Sequence, residues 1–582
     1  MVRLNRHRVL MFMLCFLLSM TSSGRLYGQG SCPADYFRAP LDNRLFLSGT
    51  FGELRPDHFH SGIDIKTGGA EGRNVYAVAG GYVSRIFVSP HGYGKALYIT
   101  HPNGFVSVYG HLKRFNKTIG DYIRKEQYKR ESFALDITVD RDSLRVKKGD
   151  LIALSGSSGD SGGPHLHFEI RDGTTQKPLN PLLFSFEVKD WIRPVIQALK
   201  VYTMDAGSLI EGRNDTVVLE TGGWGTGCHL VTHDTIDVTG NIAFGIEAGD
   251  RQNDNSSRNG IYSVDLYRDS ILMFSFVAGT FSFDETRYIN ALIDYAEYIS
   301  SGRRFIQTFI APGDHLSMYK YVYNKGIFTF DDNRVYRMEY VVKDAAGNAS
   351  VLTFYIRSHE KNAATASPAG AKAWSPESFR YDQENCFEAP GIMIALGKGC
   401  LYNDLDFEYS VSPRLPNTIS PVHHVHNRYT PVHNAFDLWI KPDSLPKLPW
   451  GKAYIVKIEG NLMEAMGGMF MNGYVRFRTR RFGDYAVAID TVPPVIRSFD
   501  ISAKKNVGGL TVFRFGISDA GSGIKSYRGT LNGQWILMDY DAKNDLLWYE
   551  KDDHLKKGVN VFRLVVTDNT DNIQTFEASV IN

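Results

Sequence analysis

Short apolar runs separated by glycine-rich turns recur in the first part of this chain and favour β-structure. Between residue 36 and about residue 186, these runs are Val75–Val78, Ala96–Thr100, Val106–Tyr109 and Leu151–Ser155. Short runs bounded by turn residues are typical of strands, and no window here shows sustained helical periodicity. The 31 tyrosines and 35 phenylalanines among 582 residues also favour strands. We therefore predict a mainly β protein.

Later segments repeat one another, which predicts repeated modules. The segment VVKDAAGN (Val341–Asn348) returns as VVTDNTDN (Val565–Asn572), and Phe244–Ile246 returns as Phe515–Ile517 before an Asp-rich turn. We place modules at 191–358 and 489–582, and both resemble immunoglobulin-like β-sandwiches of bacterial surface proteins. A low-complexity linker at 359–373 precedes a β-rich middle region at 374–488.

The first 28 residues have the layout of a secretory signal peptide. Arg3, Arg6 and Arg8 precede the apolar run Val9–Met20, and small residues follow. That run is shorter than the roughly 20 residues of a membrane span. An uncleaved N-terminal anchor is the alternative. We expect export to the periplasm or cell envelope, with no membrane span in the mature chain.

Charge and cysteine content exclude several classes. The net charge is +2 and no block of like charge occurs, which argues against nucleic-acid binding. The five cysteines include no Cys-x-x-Cys pair, so a cysteine-based zinc site is not expected. In an exported chain, Cys386 and Cys400 either close a short loop or remain free thiols.

Two segments concentrate histidine and acid. In HFHSGIDI (His58–Ile65), His60 and Asp64 are four positions apart, and either a helix or a strand would place them on one face. In SGDSGGPHLHFEI (Ser158–Ile170), His165 and His167 share one strand face, because side chains alternate along a strand. His111 ends a third strand-like segment, VYGHL (Val108–Leu112).

These residue types match the ligands that zinc prefers. A catalytic zinc site uses three protein ligands from imidazole and carboxylate groups and keeps one position open for water. Five candidate side chains are present, so two histidines remain for acid–base work and for stabilising an oxyanion. Residue type alone does not decide which three are ligands.

Three motifs in order resemble the LytM/lysostaphin-type zinc metallopeptidases: His60-x-Gly-x-Asp64, Tyr109-Gly-His111 and Gly163-Pro-His-Leu-His-Phe-Glu169. The resemblance covers about residues 45–185, within a domain placed at 33–190. It implies a small antiparallel β-sheet domain with a groove. It also implies Zn²⁺ held by His60, Asp64 and His167, with His111 and His165 as the catalytic pair.

The resemblance also implies the activity, which is hydrolysis of peptide cross-links or stem peptides of bacterial peptidoglycan. The alternative is a non-catalytic regulator of other wall hydrolases, or an envelope scaffold. The C-terminal β modules are expected to orient the enzyme or to bind an envelope protein. One departure from the family is the charged stretch Asp121–Ser143, which we expect to border the groove.

Other polar segments are given structural interpretations. His58 is expected at the surface or beside the ligands, and VHHVHNRYTPVH (Val422–His433) as a solvated strand or loop. GDRQNDNSSRNG (Gly249–Gly260) is rich enough in oxygen for calcium but lacks the acid spacing of an EF-hand loop. From sequence we therefore assign it no ion. We also expect 33–190 to fold alone.

Overall fold

The computed structural model describes residue 33 and residues 35–360, 378–443 and 450–582. Strands account for 47% of it and helices for 9%, so the predicted mainly β class is confirmed. The signal peptide at 1–28 and most of the linker at 359–373 lie outside the described residues and remain predictions. Within the described residues, no helix is long and apolar enough to cross a membrane.

Two antiparallel sheets form the first domain. The larger sheet runs in the order β1–β2–β11–β6–β5–β4–β8, with β9 and β12 at its margins, and the smaller is β3–β10–β7. The strands are β1 (Leu47–Gly49), β2 (Ile63–Lys66), β3 (Asn74–Tyr76), β4 (Gly81–Val88), β5 (Lys95–Thr100), β6 (Phe105–Gly110), β7 (Leu112–Phe115), β8 (Leu135–Thr138), β9 (Arg145–Val146), β10 (Leu151–Ser155), β11 (His165–Asp172) and β12 (Pro178–Leu179).

Strand β11 lies inside the larger sheet and carries its alternation most clearly. Leu166, Phe168 and Ile170 point to one side and are fully buried in the core. Burying each such side chain contributes roughly 1.5–3 kcal/mol, which fixes the register of the strand. That register sets His167 opposite both Asp64 of β2 and Gly110 of β6. The opposite face of β11 is therefore free to carry polar side chains.

A helix interrupts the first domain, contrary to the sequence-based expectation of none. Helix α1 (Lys117–Arg130) begins at Asn116, whose side chain accepts a 2.9 Å hydrogen bond from the Ile119 amide. It buries only Ile119, Ile123 and Gln127. The expectation was wrong because the buried side chains form only a narrow stripe, one residue every fourth position. In a segment this polar, so few apolar residues do not produce a recognisable helical periodicity.

The first β module is one large mixed sheet with two short helices, α2 (Ile289–Leu292) and α3 (Tyr295–Ser301). Its strands are β13 (Val195–Thr203), β14 (Leu209–Ile210), β15 (Val217–Gly222), β16 (His229–Leu230), β17 (Thr235–Gly249), β18 (Ser263–Arg268), β19 (Ile271–Val277), β20 (Phe305–Gln307), β21 (Tyr319–Val322), β22 (Phe328–Phe330), β23 (Val335–Lys343) and β24 (Ala349–Ser358).

The first domain and the first module share a hydrophobic core. Phe51 and Phe59, from the segment between β1 and β2, are almost completely buried among apolar side chains of the module. Both rings contact Phe281, each at 5.5 Å between ring centroids. The segments on either side of the boundary predicted at residue 190 therefore pack into one hydrophobic core.

The middle region contains two five-stranded sheets and one strand pair, and the last module contains two four-stranded sheets. Their strands are β25 (Ser378–Phe379), β26 (Asn385–Ala389), β27 (Ile392–Leu396), β28 (Leu405–Asp406), β29 (Tyr409–Ser412), β30 (Val422–Val425), β31 (Phe436–Ile440), β32 (Ala453–Glu459), β33 (Leu462–Gly467), β34 (Met469–Met471), β35 (Tyr474–Thr479), β36 (Gly483–Ile489), β37 (Val495–Ser498), β38 (Val512–Ser518), β39 (Ile524–Leu531), β40 (Gln534–Trp535), β41 (Asp539–Asp541), β42 (Leu546–Glu550), β43 (Val559–Asp568) and β44 (Ile573–Ile581).

The last module packs against helix α1 of the first domain. Tyr128 stacks on His554 with 4.7 Å between ring centroids and meets the edge of Trp535 at 5.2 Å. Lys95 of β5 pairs with Asp539 at 2.6 Å. The charged insertion, expected to border a groove, thus lies partly in a contact between domains.

The described cysteines are unpaired. Cys228 and Cys400 are buried and Cys386 is exposed, and all three are free thiols. Of the two alternatives for Cys386 and Cys400, the structure contains the free thiols.

Candidate metal centre

Three side chains converge on one point: His60 from the loop before β2, Asp64 from β2 and His167 from β11. His60 Nε2 lies 3.1 Å from Asp64 Oδ1 and 3.1 Å from His167 Nδ1, and His167 Nδ1 lies 3.0 Å from the same carboxylate oxygen. All three residues are buried, with 4–6% of their surface exposed. Two imidazole nitrogens and one carboxylate oxygen at this separation form a group able to hold a metal ion.

The far nitrogen of each imidazole fixes which nitrogen faces the centre. His60 Nδ1 donates to the carbonyl oxygen of Thr50 at 2.8 Å, and His167 Nε2 donates to Glu169 Oε1 at 2.8 Å. In the neutral form of each ring the proton lies on the outer nitrogen, so that a lone pair on His60 Nε2 and on His167 Nδ1 faces the shared point. Metal-binding histidines are oriented in this way by an acceptor behind the ring.

Charges around the centre favour a cation. Burial raises the pKa of Asp64, but His60, His165 and His167 outweigh it and hold that pKa well below its usual range. Burial lowers the pKa of His167, yet hydrogen bonds to Asp64 and Glu169 raise it to about 9. Positive charge is thus stabilised at this point, which is the condition for binding a metal ion.

Arg55 holds the second oxygen of Asp64. Its Nη2 lies 2.7 Å from Asp64 Oδ2, which leaves Oδ1 for the centre. Gly49 makes room for this pair, because a Cβ there would lie 2.5 Å from the Arg55 Nη2 atom and 2.8 Å from Asp64 Oδ2. Sequence reasoning missed Arg55, since an arginine nine positions before an aspartate carries no periodic signal.

Strand β11 extends the site with a polar face opposite its buried apolar face. His165, His167, Glu169 and Arg171 follow one another at every second position. Glu169 is fully buried; burial raises its pKa, but Arg171 and His167 hold that pKa far below its usual value. The alternation that predicted the histidine pair continues through both residues, so it was the signal for them.

Two hydroxyl groups complete the surroundings of Glu169. Ser61 Oγ and Tyr93 Oη each donate to Glu169 Oε1 at 2.6 Å. Every donor around this carboxylate holds it in place behind the His167 ring. Gly62 allows the chain leading into β2 to lie close to β11, because a Cβ there would lie 2.3 Å from the carbonyl oxygen of Phe168.

His165 and His111 lie beside the centre but outside the three-residue group. His165 Nδ1 donates to the carbonyl oxygen of Gly163 at 2.8 Å, and His165 Nε2 lies 3.4 Å from Asp64 Oδ1. His111 Nδ1 donates to the carbonyl oxygen of Ser158 at 2.8 Å. The two rings meet edge to face at 4.8 Å between centroids. Because the Nδ1 atom of each ring is bonded to a backbone carbonyl, both Nε2 atoms are left for a reacting molecule.

Backbone conformation and burial set His111 apart from His165. Its φ of 56° lies in the left-handed region, which is uncommon for a residue with a side chain. Burial, with His167 and His165 nearby, lowers the pKa of His111 to about 3. His111 is therefore neutral near pH 7, with only a lone pair on Nε2.

The discounted histidines lie elsewhere. His58 is exposed and pairs with Asp57 at 2.8 Å. In the middle region, Tyr409 Oη lies 2.8 Å from His423 Nδ1 and Asp484 lies 2.7 Å from His424. None of these joins a group of potential metal ligands within the described residues.

This arrangement defines a β domain with a histidine–aspartate–histidine group able to hold a metal ion and two further histidines beside it. Residues 58–128 and 135–181 match peptidase family M23, and the chain therefore contains an M23 domain of the LytM type. Residues 376–490 match the Zu5-like domain, which corresponds to the middle region.

Curated relatives match less than a third of this chain. A protein described as an uncharacterized metalloprotease of Haemophilus influenzae is 28% identical over 172 residues, 28% of this chain and 30% of the relative. DD-carboxypeptidase/endopeptidase Mpg of Neisseria meningitidis is 32% identical, over 21% of this chain and 22% of its own. Murein hydrolase activator NlpD of Escherichia coli is 31% identical, over 26% and 32%. The matches thus span under a third of these relatives.

Two solved structures each match about a quarter of this chain. The catalytic domain of the prophage-encoded M23 protein EnpA of Enterococcus faecalis is 25% identical, covering 25% of this chain and 95% of that one, with a TM-score of 0.19. The catalytic domain of lysostaphin from Staphylococcus simulans is 22% identical, over 24% and 92%, also with a TM-score of 0.19.

Proposed function

We propose that this protein is an exported, zinc-dependent endopeptidase that hydrolyses peptide cross-links or stem peptides of bacterial peptidoglycan. The observation that carries the proposal is the complete set of His60, Asp64 and His167 with His111 and His165 beside it. The M23 match and the peptidase relative Mpg support the same activity. Export rests on the signal peptide predicted at 1–28.

The donor set fits zinc. Two imidazoles and one carboxylate would hold Zn²⁺, which is borderline-soft and accepts this combination with one position left open. When bound, zinc supplies Lewis acidity for the scissile carbonyl and for the attacking water. Glu169 keeps the His167 ring oriented, and Thr50 does the same for His60.

His165 is proposed to accept the proton of the attacking water. Its Nδ1 proton is donated to Gly163, so Nε2 carries a lone pair, and that nitrogen lies 3.4 Å from a ligand oxygen. Proton transfer by a positioned side chain typically contributes 10²–10⁴-fold to the rate. The same Nε2 can then return the proton to the leaving amine.

His111 is proposed to orient the reacting water from the other side. Burial keeps its ring neutral, and its Nδ1 proton is donated to Ser158, so Nε2 accepts a hydrogen bond. An oxyanion donor at His111 would need the ring proton on Nε2, whereas the hydrogen bond to Ser158 places that proton on Nδ1. Of the two histidines, His165 is thus the better proton carrier.

A regulatory function is the second candidate, and the likeness to NlpD favours it, since that relative is described as a murein hydrolase activator. Such a function does not require His165 or His111. The complete set of candidate catalytic groups in this chain argues for catalysis.

Mass spectrometry of purified muropeptides, incubated with the zinc-loaded protein, tests the proposal. We expect new peptide fragments with the unchanged protein and none with His165→Ala, while zinc content stays near one per chain in both. Full zinc occupancy without cleavage, together with stimulation of a separate wall hydrolase, would instead establish the regulator.

A further inference from the structure

Three carboxylates, one just before the first β module and two within it, meet away from the histidine centre. Asp190, Asp250 and Asp344 each place a carboxylate oxygen within 4.8 Å of the others. Asp250 and Asp344 are 4% and 3% exposed. Among the described residues, no lysine, arginine or histidine forms an ion pair with any of the three. Three acids at such separation normally require a compensating positive charge.

Unpartnered oxygens beside the carboxylates point independently to a ligand. Asn259 Oδ1 and Asp250 Oδ1 are buried and have no hydrogen-bond partner. Asn259 is 5% exposed, and its backbone forms a two-way bridge with that of Asp250. Both residues line, with Asp190 and Asp344, a cavity of about 70 Å³. Buried acceptors are rarely left without a partner, so this cavity is suited to a ligand that coordinates the oxygen atoms of side chains.

The last module provides an internal comparison. Asp490, Asp519 and Asp568 form a similar cluster, and Asp344 and Asp568 occupy matching places in the repeated VVKDAAGN and VVTDNTDN segments. The repeated segments are alike, since the Asn348 amide donates to Asp344 at 2.9 Å and the Asn572 amide donates to Asp568 at 2.8 Å. The clusters differ elsewhere: Ser522 donates to Asp490 at 2.7 Å, whereas Asp250 Oδ1 has no partner. In the cluster of the last module, none of the three residues has a carboxylate oxygen that is buried without a partner.

We propose that Asp190, Asp250, Asn259 and Asp344 form a calcium site. The candidate ligands are all oxygens and include three carboxylates, which suits a hard cation rather than zinc. Calcium accepts six to eight oxygens in flexible geometry, whereas magnesium demands a near-ideal octahedron, which favours calcium in an irregular loop cavity. The lack of EF-hand spacing does not count against it, because the four residues come from three separate segments.

The state of Asp250 agrees with this assignment. Burial, together with Asp190 and Asp344, raises the pKa of Asp250 to about 8. These effects outweigh the hydrogen bond from the Arg251 backbone amide, which lowers the pKa of Asp250.

The site lies where the module holds the first domain. In the loop after Asp250, Gln252 accepts from the Leu47 amide at 2.9 Å and donates to the Leu45 carbonyl at 2.7 Å. After Asn259, the Gly260 amide donates to Thr50 Oγ1 at 2.9 Å. The Thr50 carbonyl is the acceptor that orients His60. Calcium would thus order the loop that supports a candidate metal ligand.

Calcium titration of the full chain, followed by calorimetry and thermal unfolding, tests the site. We expect one calcium per chain with a Kd of about 0.1–1 mM, the range of extracellular modules, and a rise in Tm with calcium. Asp250→Asn and Asn259→Ala should each weaken binding by about 10-fold or more, because each removes a ligand. Asp568→Asn, in the comparison cluster, should bind calcium as the unchanged protein does.

The readout is the calcium-dependent shift, since removing a buried charge changes the basal Tm by itself. If Asp250→Asn does not fold, Asn259→Ala keeps the test open, and Tb³⁺ luminescence sensitised by Tyr262, which lines the cavity, reports occupancy directly. No calcium-dependent shift at 10 mM, equal binding by Asn259→Ala, loss of binding only in Asp568→Asn, or equal affinity for magnesium would each overturn the assignment.

Discussion

The ammonium group of Lys543, in the last module, donates a 3.1 Å hydrogen bond to the carbonyl oxygen of Ser161, 382 positions earlier in the chain. The same group contacts the carbonyl oxygens of Ser157 and Gly159. This loop orients both flanking histidines, because Ser158 accepts from His111 and Ser161 Oγ lies 3.2 Å from His165 Nδ1. The last module therefore contacts the backbone that positions the proposed catalytic pair.

Replacing Lys543 with methionine should lower kcat/KM by about 10-fold and leave zinc content unchanged. The loop would lose its anchor, and a misplacement of about 1 Å can cost up to 10²-fold in rate. Lys525→Met is the matched control, because Lys525 pairs with exposed Asp571 in the same module and with no other acid among the residues that the structure describes. Equal loss of activity in both variants would show a general effect on the module.

Alanine at His60, Asp64 or His167 should remove zinc and activity together. Each change takes one of three proposed ligands, and two ligands hold the ion poorly. Atomic emission and muropeptide cleavage measure the two effects.

Alanine at His165 or His111 should leave zinc near one per chain. We expect activity to fall about 10²–10⁴-fold for the proton acceptor His165, and less for His111, which only orients water. Loss of zinc from the His165 variant but not from the His167 variant would reverse the ligand assignment on β11.

Glu169→Gln should weaken zinc binding by about 10- to 100-fold, the usual effect of losing a group behind a metal-bound histidine. Glutamine keeps an oxygen that accepts from His167. It removes the negative charge of Glu169, which pairs with Arg171 and His167. Tyr93→Phe is the milder control, since it deletes a single hydroxyl donor to Glu169. Competition with a chromogenic zinc chelator measures both; equal affinity in Glu169→Gln and the unchanged protein would contradict the role.

Phe51→Ala should destabilise the protein by about 3–5 kcal/mol, the usual cost of emptying an aromatic position in a core. The loss should appear in both the first domain and the first module, because the Phe51 ring contacts Phe281 across their boundary. Phe499→Ala, at a side chain 48% exposed, should change little. Chemical denaturation followed by circular dichroism gives both values.

The same packing changes the expected behaviour of fragments. The sequence predicted that 33–190 folds alone, but such a fragment exposes Phe51 and Phe59. We expect 33–358 to be soluble and to bind zinc, and 33–190 to aggregate. A soluble, zinc-binding 33–190 would show that the shared core is dispensable.

The sequence predicted which histidines share a strand face better than it predicted the residues that hold the site in place. The alternation of β11 placed His165 and His167 on one face because that pattern is local. The roles of Arg55 and Lys543 were not predicted. Each contacts its partner, Asp64 or Ser161, only in the folded protein, and no sequence spacing indicates the contact. The contact of helix α1 with the last module was missed for the same reason.

The phenylalanines that cross from the first domain into the module bear on how such chains diversify. A domain with a closed surface can be recombined as a cassette, with any partner on either side. Here, transplanting the first domain alone would leave Phe51 and Phe59 without the surface that encloses them. The portable unit, in genome rearrangement or in protein engineering, is the first domain together with the module after it.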